Sequence, residues 1–265
     1  MKLGWSTDIH LNLTWKAEID KLCAGMIDGN PEAVLISGDI AEAPSFEGFL
    51  RTIEAAVARP IYFVLGNHDY YDSSIAAVRA RMAEFCRSSK HLRWMNEAGI
   101  VRLTEKTALV GHDGWGDGRL GLGVKSSLMM TDFIHIEDLF ELAPEVKARK
   151  LAALGDEAAG HFARVVPEAL ERFEHVLVLT HVPPFREACV HDGKVADEHH
   201  LPYYTCKASG DVLEAAMRAR PERRMTVVCG HVHSEGRVDI LPNLHVRTGG
   251  AVYKRPRAQK AIEVP

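Results

Sequence analysis

Short apolar runs are the feature that most restricts what this chain can become. They recur at 33–37 (Ala-Val-Leu-Ile-Ser), 61–65 (Ile-Tyr-Phe-Val-Leu), 107–111, 175–180 (His-Val-Leu-Val-Leu-Thr) and 225–229 (Met-Thr-Val-Val-Cys), and each stops at a turn or a polar cluster. Runs so short and so rich in branched side chains read as buried strands. Stretches of helical character lie between them: 16–28, 45–58, 73–89 with Ser73 or Ser74 as N-cap, parts of 137–173, and 209–219 with Pro221 beyond. Alternating β and α predicts an α/β fold, with mixed or parallel sheets covered by helices and functional groups gathered where strands end. Pro144 and Pro167 predict that 137–173 breaks into more than one helix.

With 265 residues, 46% of them hydrophobic, the chain can bury a sizeable core, and no repeat, low-complexity tract or Gly/Ser-rich linker marks a boundary. A single domain over 1–265 is expected. The 32 basic residues against 36 acidic ones give a formal net charge of -4, which offers no general attraction for nucleic acid or an anionic membrane. An anionic substrate would need a local positive centre. The cysteines (Cys23, Cys86, Cys189, Cys206 and Cys229) form no C-x-x-C pair. Neither a secretory leader nor an apolar run of ~18 residues is visible, so a cytoplasmic protein is expected. Histidine is the skewed count, with 14, several of them beside Gly, Asp or Pro.

Five polar clusters occur in order: Asp8-Ile9-His10, Gly38-Asp39, Gly66-Asn67-His68-Asp69, Thr180-His181-Val182-Pro183 and Gly230-His231-Val232-His233. All consist of ligand-type side chains. Asp8 with His10, and His231 with His233, are spaced so that a strand would point each pair to one side. The glycines at 38, 66 and 230 predict sharp turns that expose the next side chain. Carboxylate, imidazole and amide oxygen suit manganese, zinc or iron, and the absence of cysteine disfavours a thiolate site. Eight candidate residues (Asp8, His10, Asp39, Asn67, His68, His181, His231 and His233) are more than one ion needs. Two ions about 3.5 to 4 Å apart, sharing one carboxylate, would use seven and leave a histidine for chemistry.

Together these residues resemble the five-part signature of the calcineurin-like metallophosphoesterases: D-x-H, GD, GNHD, H and GHxH, complete and in order from Asp8 to His233. The resemblance implies that Asp8, His10 and His233 hold one metal, that Asn67, His181 and His231 hold the other, and that Asp39 bridges them. The cofactors it implies are two divalent or mixed-valence ions of manganese, iron or zinc. It leaves His68 to protonate the leaving group or stabilise the charge growing on the phosphoryl oxygens, with Asp69 orienting that imidazole. It further implies a four-layer αββα sandwich, two mixed sheets face to face with helices outside. The implied reaction is hydrolysis of a phosphomonoester or phosphodiester by a metal-bridging hydroxide, without a phosphoryl-enzyme. Purple acid phosphatases carry a tyrosine shortly after the bridging aspartate and glycine for the first histidine, where this chain has Glu42 and His10. Lipid A pathway pyrophosphatases carry arginine where His68 stands.

Taken singly, each cluster has an ordinary explanation as a strand-end turn or a packed histidine. It is the joint occurrence that carries the reading. The expected substrate is a small phosphate ester. The alternatives are a nuclease of the same fold, which wants a basic groove and a capping domain, and a non-catalytic scaffold, which would have lost ligands. His112, Asp113, Trp115 and Asp117 read as a surface turn. Segment 183–207, with His199, His200, Tyr203, Tyr204 and Lys207, reads equally as a substrate-contacting or a solvated loop. The basic stretch from Tyr253 to Lys260 reads as a solvated tail.

Overall fold

The computed structural model describes residues 1–191 and 193–265; Asp192, in the segment expected to be irregular, lies outside the described residues. In chain order the strands are β1 (Lys2–Ser6), β2 (Ala33–Ser37), β3 (Ile61–Val64), β4 (Leu92–Trp94), β5 (Val101–Arg102), β6 (Thr107–Gly111), β7 (His175–Leu179), β8 (Val190–His191), β9 (Lys194–Val195), β10 (Arg224–Cys229), β11 (Gly236–Leu241), β12 (Leu244–Thr248) and β13 (Ile262–Glu263). The helices are α1 (Lys16–Met26), α2 (Phe46–Val57), α3 (Ile75–Arg87), α4 (Met95–Ala98), α5 (Asp132–His135), α6 (Pro144–Arg172), α7 (Leu201–Tyr204) and α8 (Lys207–Arg218).

Two mixed sheets form. One has the order β13-β1-β2-β3-β4 and the other β11-β12-β10-β7-β6-β5, with antiparallel pairs confined to β13/β1, β11/β12 and β6/β5. Alternation along each strand decides the layering. Leu3 and Trp5 of β1, Leu35 of β2, Leu177 and Leu179 of β7 and Val228 of β10 share one core between the sheets. Their neighbours point outward: Val34, Ile36 and Phe63 meet α1, α2 and α3, while Val176, Val178 and Val227 meet α6 and α8. Each central strand is therefore apolar on both faces, as the continuous runs predicted, and the layers stack as helix, sheet, sheet, helix.

The helix expected to break does not. α6 runs for 29 residues, with Pro144 in its first turn, where no amide partner is needed, and Pro167 inside it. Pro167 forfeits one backbone bond, but Val165, Val166, Ala169 and Leu170 around it are buried against the second sheet and keep the helix in line. Ser74 caps α3, accepting the Ala77 N–H at 3.2 Å. Segment 183–207 is more ordered than expected, holding the β8/β9 hairpin and α7. No helix among the described residues is long and apolar enough to cross a membrane.

Candidate metal centre

β1, β2, β3, β7 and β10 run parallel within their sheets, and the predicted clusters leave their carboxyl ends. Both sheets thus deliver side chains to one edge of the sandwich, the place where open α/β sheets collect ligands. The local geometry differs from the expected strand alternation. Asp8, His10, Asp39, His231 and His233 all lie beyond the strands with φ of 49°, 39°, 52°, 72° and 58°. Left-handed backbone is costly for such residues, and these five make up half of the non-glycine positions with positive φ among the described residues. The chain stores strain where it aims these side chains. Only Gly38 of the three glycines has positive φ; a Cβ at Gly66 would meet Asp39 Oδ1, and one at Gly230 would meet Thr7 Oγ1 and Asp8 Oδ2. Those two glycines serve close approach rather than a turn.

Carboxylate and ring-nitrogen atoms of Asp8, His10, Asp39 and His233 all lie within 4.8 Å of one another. His10 Nε2 is 3.3 Å from His233 Nε2 and 3.7 Å from Asp39 Oδ2, and His233 Nε2 is 3.4 Å from Asp8 Oδ1. A second group adjoins it. Asn67 Oδ1 lies 3.2 Å from His181 Nε2 and 3.0 Å from His231 Nδ1, and the two ring nitrogens are 3.2 Å apart. Asp39 stands between the groups, with Oδ2 turned to His10 and Oδ1 lying 3.4 Å from His181 Nε2.

The second group fits a cation on its own hydrogen-bonding logic. His181 donates its Nδ1–H to Ser37 O at 2.8 Å, and His231 donates its Nε2–H to Tyr203 O at 3.1 Å. Asn67 donates its amide to Asp132 Oδ1 at 2.8 Å. What remains is one lone pair from each side chain, all three aimed at one another with no hydrogen between them. Positive charge is missing there. Burial pulls the His181 pKa down, yet Asp39 and Asp8 push it up to about 10, so that without metal a proton answers the deficit. Burial takes His231 down to about 3 and His10 to about 4, leaving both neutral and able to ligate near pH 7. Burial pushes the Asp39 carboxyl up, but His181 and His68 hold it well below the usual carboxylate range.

His68 is outside both groups but adjoins them: its ring meets His10 edge-on with centroids 4.6 Å apart, and its backbone N–H donates to Asp39 Oδ1 at 3.0 Å. It is partly exposed in a cleft of about 320 Å³ whose rim includes Tyr71, Tyr204, Tyr253 and Met129. Asp69 does not orient it. The Asp69 carboxylate accepts the N–H groups of Ile40, Ala41 and Gly66 at 2.8, 2.9 and 2.7 Å, so both oxygens are spent on backbone. Its neighbour in space is the loop carrying Asp39, not the imidazole. The ring of His68 instead stacks on Tyr71.

Several participants carried no sequence signal. Tyr71 and Asp132 support His68 and Asn67, while Tyr203 supports His231 through a backbone oxygen that no motif can display. Tyr253 packs against His10 and His233, with ring centroids 4.7 and 4.8 Å away, and so belongs to the cleft rather than to a solvated tail. The supposed surface turn is buried: His112, Asp113, Trp115 and Asp117 are each less than 5% exposed. Asp113 accepts from Leu65 N–H, the Tyr70 hydroxyl, Trp94 Nε1–H and the Asn96 amide, tying β3 and β4 to the end of β6.

A sequence model described as calcineurin-like phosphoesterase matches residues 1–235. No curated protein sequence matches the chain. Among solved structures, a phosphopantetheinyl hydrolase from Mycobacterium tuberculosis is similar at TM-score 0.67 and 16% identity, covering 98% of this chain and 95% of its own. A dimetal phosphatase from Danio rerio is similar at TM-score 0.61 and 12% identity, covering 96% and 88%. At such identities the likeness concerns the fold, which is the one built above from strand alternation. The match to the family model spans most of the chain, every predicted ligand included, and the chain belongs to the calcineurin-like phosphoesterase family.

Proposed function

We propose that the protein is a dinuclear metal-dependent hydrolase of small phosphomonoesters or phosphodiesters. The observation that carries this reading is Asp39, whose two oxygens turn to two adjoining ligand groups. Asp8, His10 and His233 would hold one ion, Asn67, His181 and His231 the other, and Asp39 both. Two bound ions of manganese, iron or zinc would supply Lewis acidity towards the phosphoryl oxygens and activate water as the nucleophile near neutral pH.

The chain's own groups account for the rest. Asp8 is fixed by the Thr7 hydroxyl at 2.6 Å and the His231 N–H at 3.0 Å, and Asn67 by Asp132, so the ligand set is preorganised. His68 reaches the cleft without belonging to either group and is placed to give a proton to the departing oxygen. Among the described residues lining that cleft there is no lysine or arginine. A phosphate held there would depend on the ions and histidines alone, which favours a small ester over a nucleic-acid backbone needing a basic track. A solvent-facing enzyme of the cytoplasm is the setting consistent with five unbridged cysteines.

The test is metal analysis of the purified protein beside a screen of aryl phosphomonoesters and phosphodiesters with and without added manganese. Stoichiometric loading near two ions with metal-dependent release of the aryl alcohol is expected. A loaded protein that turns over neither class would sink the reading in favour of a scaffold.

A further inference from the structure

Leu128 and Met129 line two hollows at once. On one side is the cleft of the candidate metal centre, and on the other an apolar cavity of about 170 Å³ walled by Val124, Phe133, Ala148, Leu151 and Tyr203. A small third hollow of about 10 Å³ is lined by Asn67 and His231 together with Phe133, Leu151 and Tyr203. Two short helices produce this adjacency. In α5, Asp132 holds Asn67 while Phe133 enters the cavity wall. In α7, Tyr203 meets Phe133 with centroids 5.3 Å apart while Tyr204 meets His231 at 5.2 Å.

The serine hydroxyls in the cavity lining have polar partners, and the ammonium there lies over an aromatic ring. Ser126 donates to His199 O at 2.7 Å and accepts the Leu128 N–H at 3.2 Å, Ser127 Oγ lies 3.1 Å from His199 Nδ1, and the Lys147 ammonium sits 3.9 Å from the Phe133 ring centre. Apart from the Lys147 ammonium, the side chains lining this cavity offer a sugar hydroxyl or base edge few free partners for the water it would surrender, whereas methylenes need none.

We propose that this cavity receives an aliphatic arm of the phosphate ester, so that the preferred substrate is the ester of a largely apolar alcohol and not of a sugar or nucleoside. The inference rests on the phosphoesterase reading above, and it concerns the arm rather than the reacting group. Each methylene buried there should tighten binding about fourfold until the cavity is filled.

Calorimetric titration of the metal-loaded full chain with methyl-, butyl- and octylphosphonate tests this without requiring turnover. Affinity should rise steeply from methyl to butyl and again, less steeply, to octyl. Ala148→Phe, which fills the cavity from a partly exposed helical position, and Val124→Asp, at a position 52% exposed, should each abolish most of that gain while leaving methylphosphonate binding unchanged. Affinity independent of chain length, a gain untouched by both variants, or tighter binding of a nucleoside 5′-phosphonate than of octylphosphonate would each overturn the proposal. Failure of the underlying reading shows separately, as loaded protein that binds the phosphonates in any order yet hydrolyses no aryl ester.

Discussion

The hydroxyl of Tyr71 lies 3.5 Å from Nε2 of His68, and the two rings stack with centroids 4.3 Å apart. That hydroxyl donates its own hydrogen to Asp132 Oδ1 at 2.7 Å, so it presents a lone pair towards the imidazole. A lone pair there can accept from an Nε2–H and hold the imidazole facing the cleft. Tyr71→Phe keeps the stack and removes the lone pair, a loss of about 1 kcal/mol or roughly fivefold in rate. The loss should fall on alkyl esters, whose alkoxide needs a proton, and spare p-nitrophenyl esters, whose phenolate does not. Turnover measured across esters of graded leaving-group acidity decides it, and a uniform loss would assign Tyr71 to packing alone.

Asp39 and His68 should part company on substitution. Asp39→Ala removes the carboxylate shared by both groups and is expected to lower metal content and activity together. His68→Ala leaves both groups intact and should retain metal while turnover falls by roughly two to four orders of magnitude. Metal content by elemental analysis and turnover, measured on the same preparations, separate the two roles. Unimpaired turnover in the His68 variant would refute its assignment.

Asp69 is predicted to be a matter of stability. Its carboxylate is fully buried and accepts three backbone amides that bind the Asp39 loop to the His68 loop. Asp69→Ala strands those donors in a dry interior, at a cost on the order of 3 kcal/mol or more. Denaturant unfolding should show a large drop in midpoint, with metal affinity weakened as the two loops loosen. A variant with an unchanged midpoint and lost turnover would return Asp69 to the chemistry.

The sequence displayed the sandwich most clearly where strands are covered on both faces. Val34, Leu35 and Ile36, or Val176, Leu177 and Val178, alternate between two cores, and a continuous apolar run is what that requires. β1, β11, β12 and β13 escaped notice because their apolar residues are interrupted by Lys2, Gly4, Arg237, Asp239, His245, Arg247 and Glu263. The ligand types were legible because all of them but His181 follow a glycine or stand two residues from another ligand. Their aiming was not: left-handed φ at Asp8 and His231 is imposed by tertiary contacts, such as the His231 N–H on the Asp8 carboxylate. Asp113 was misjudged for a related reason. Its donors come from positions 65, 70, 94 and 96, and a polar turn looks the same in sequence whether water or four distant donors satisfy it.

His181 supplies a prediction for metal-free protein. Burial lowers its pKa, but Asp39 and Asp8 outweigh burial and raise it from 6.5 to about 10. A folded-state pKa above the unfolded one means that the native chain holds the proton more tightly. The stability this confers is therefore fully present below the unfolded value of about 6.5 and is lost as pH rises through about 10. Between about pH 7.5 and pH 8.5, above the range in which the unfolded chain's other histidines release protons, His181 should cost the metal-stripped protein roughly 1 kcal/mol per pH unit, beside the loss from thiols that ionise on unfolding. His181→Gln should remove that share of the slope, because an amide has no proton to release. Metal-loaded protein should behave differently: a cation replaces the proton on Nε2, so loading tightens as pH rises and offsets the loss. Unfolding midpoints of stripped and loaded protein across this window provide the check. A stripped protein whose stability is flat or rising there would mean that the three facing lone pairs of Asn67, His181 and His231 are satisfied by something other than positive charge, and the cation would lose its physical warrant.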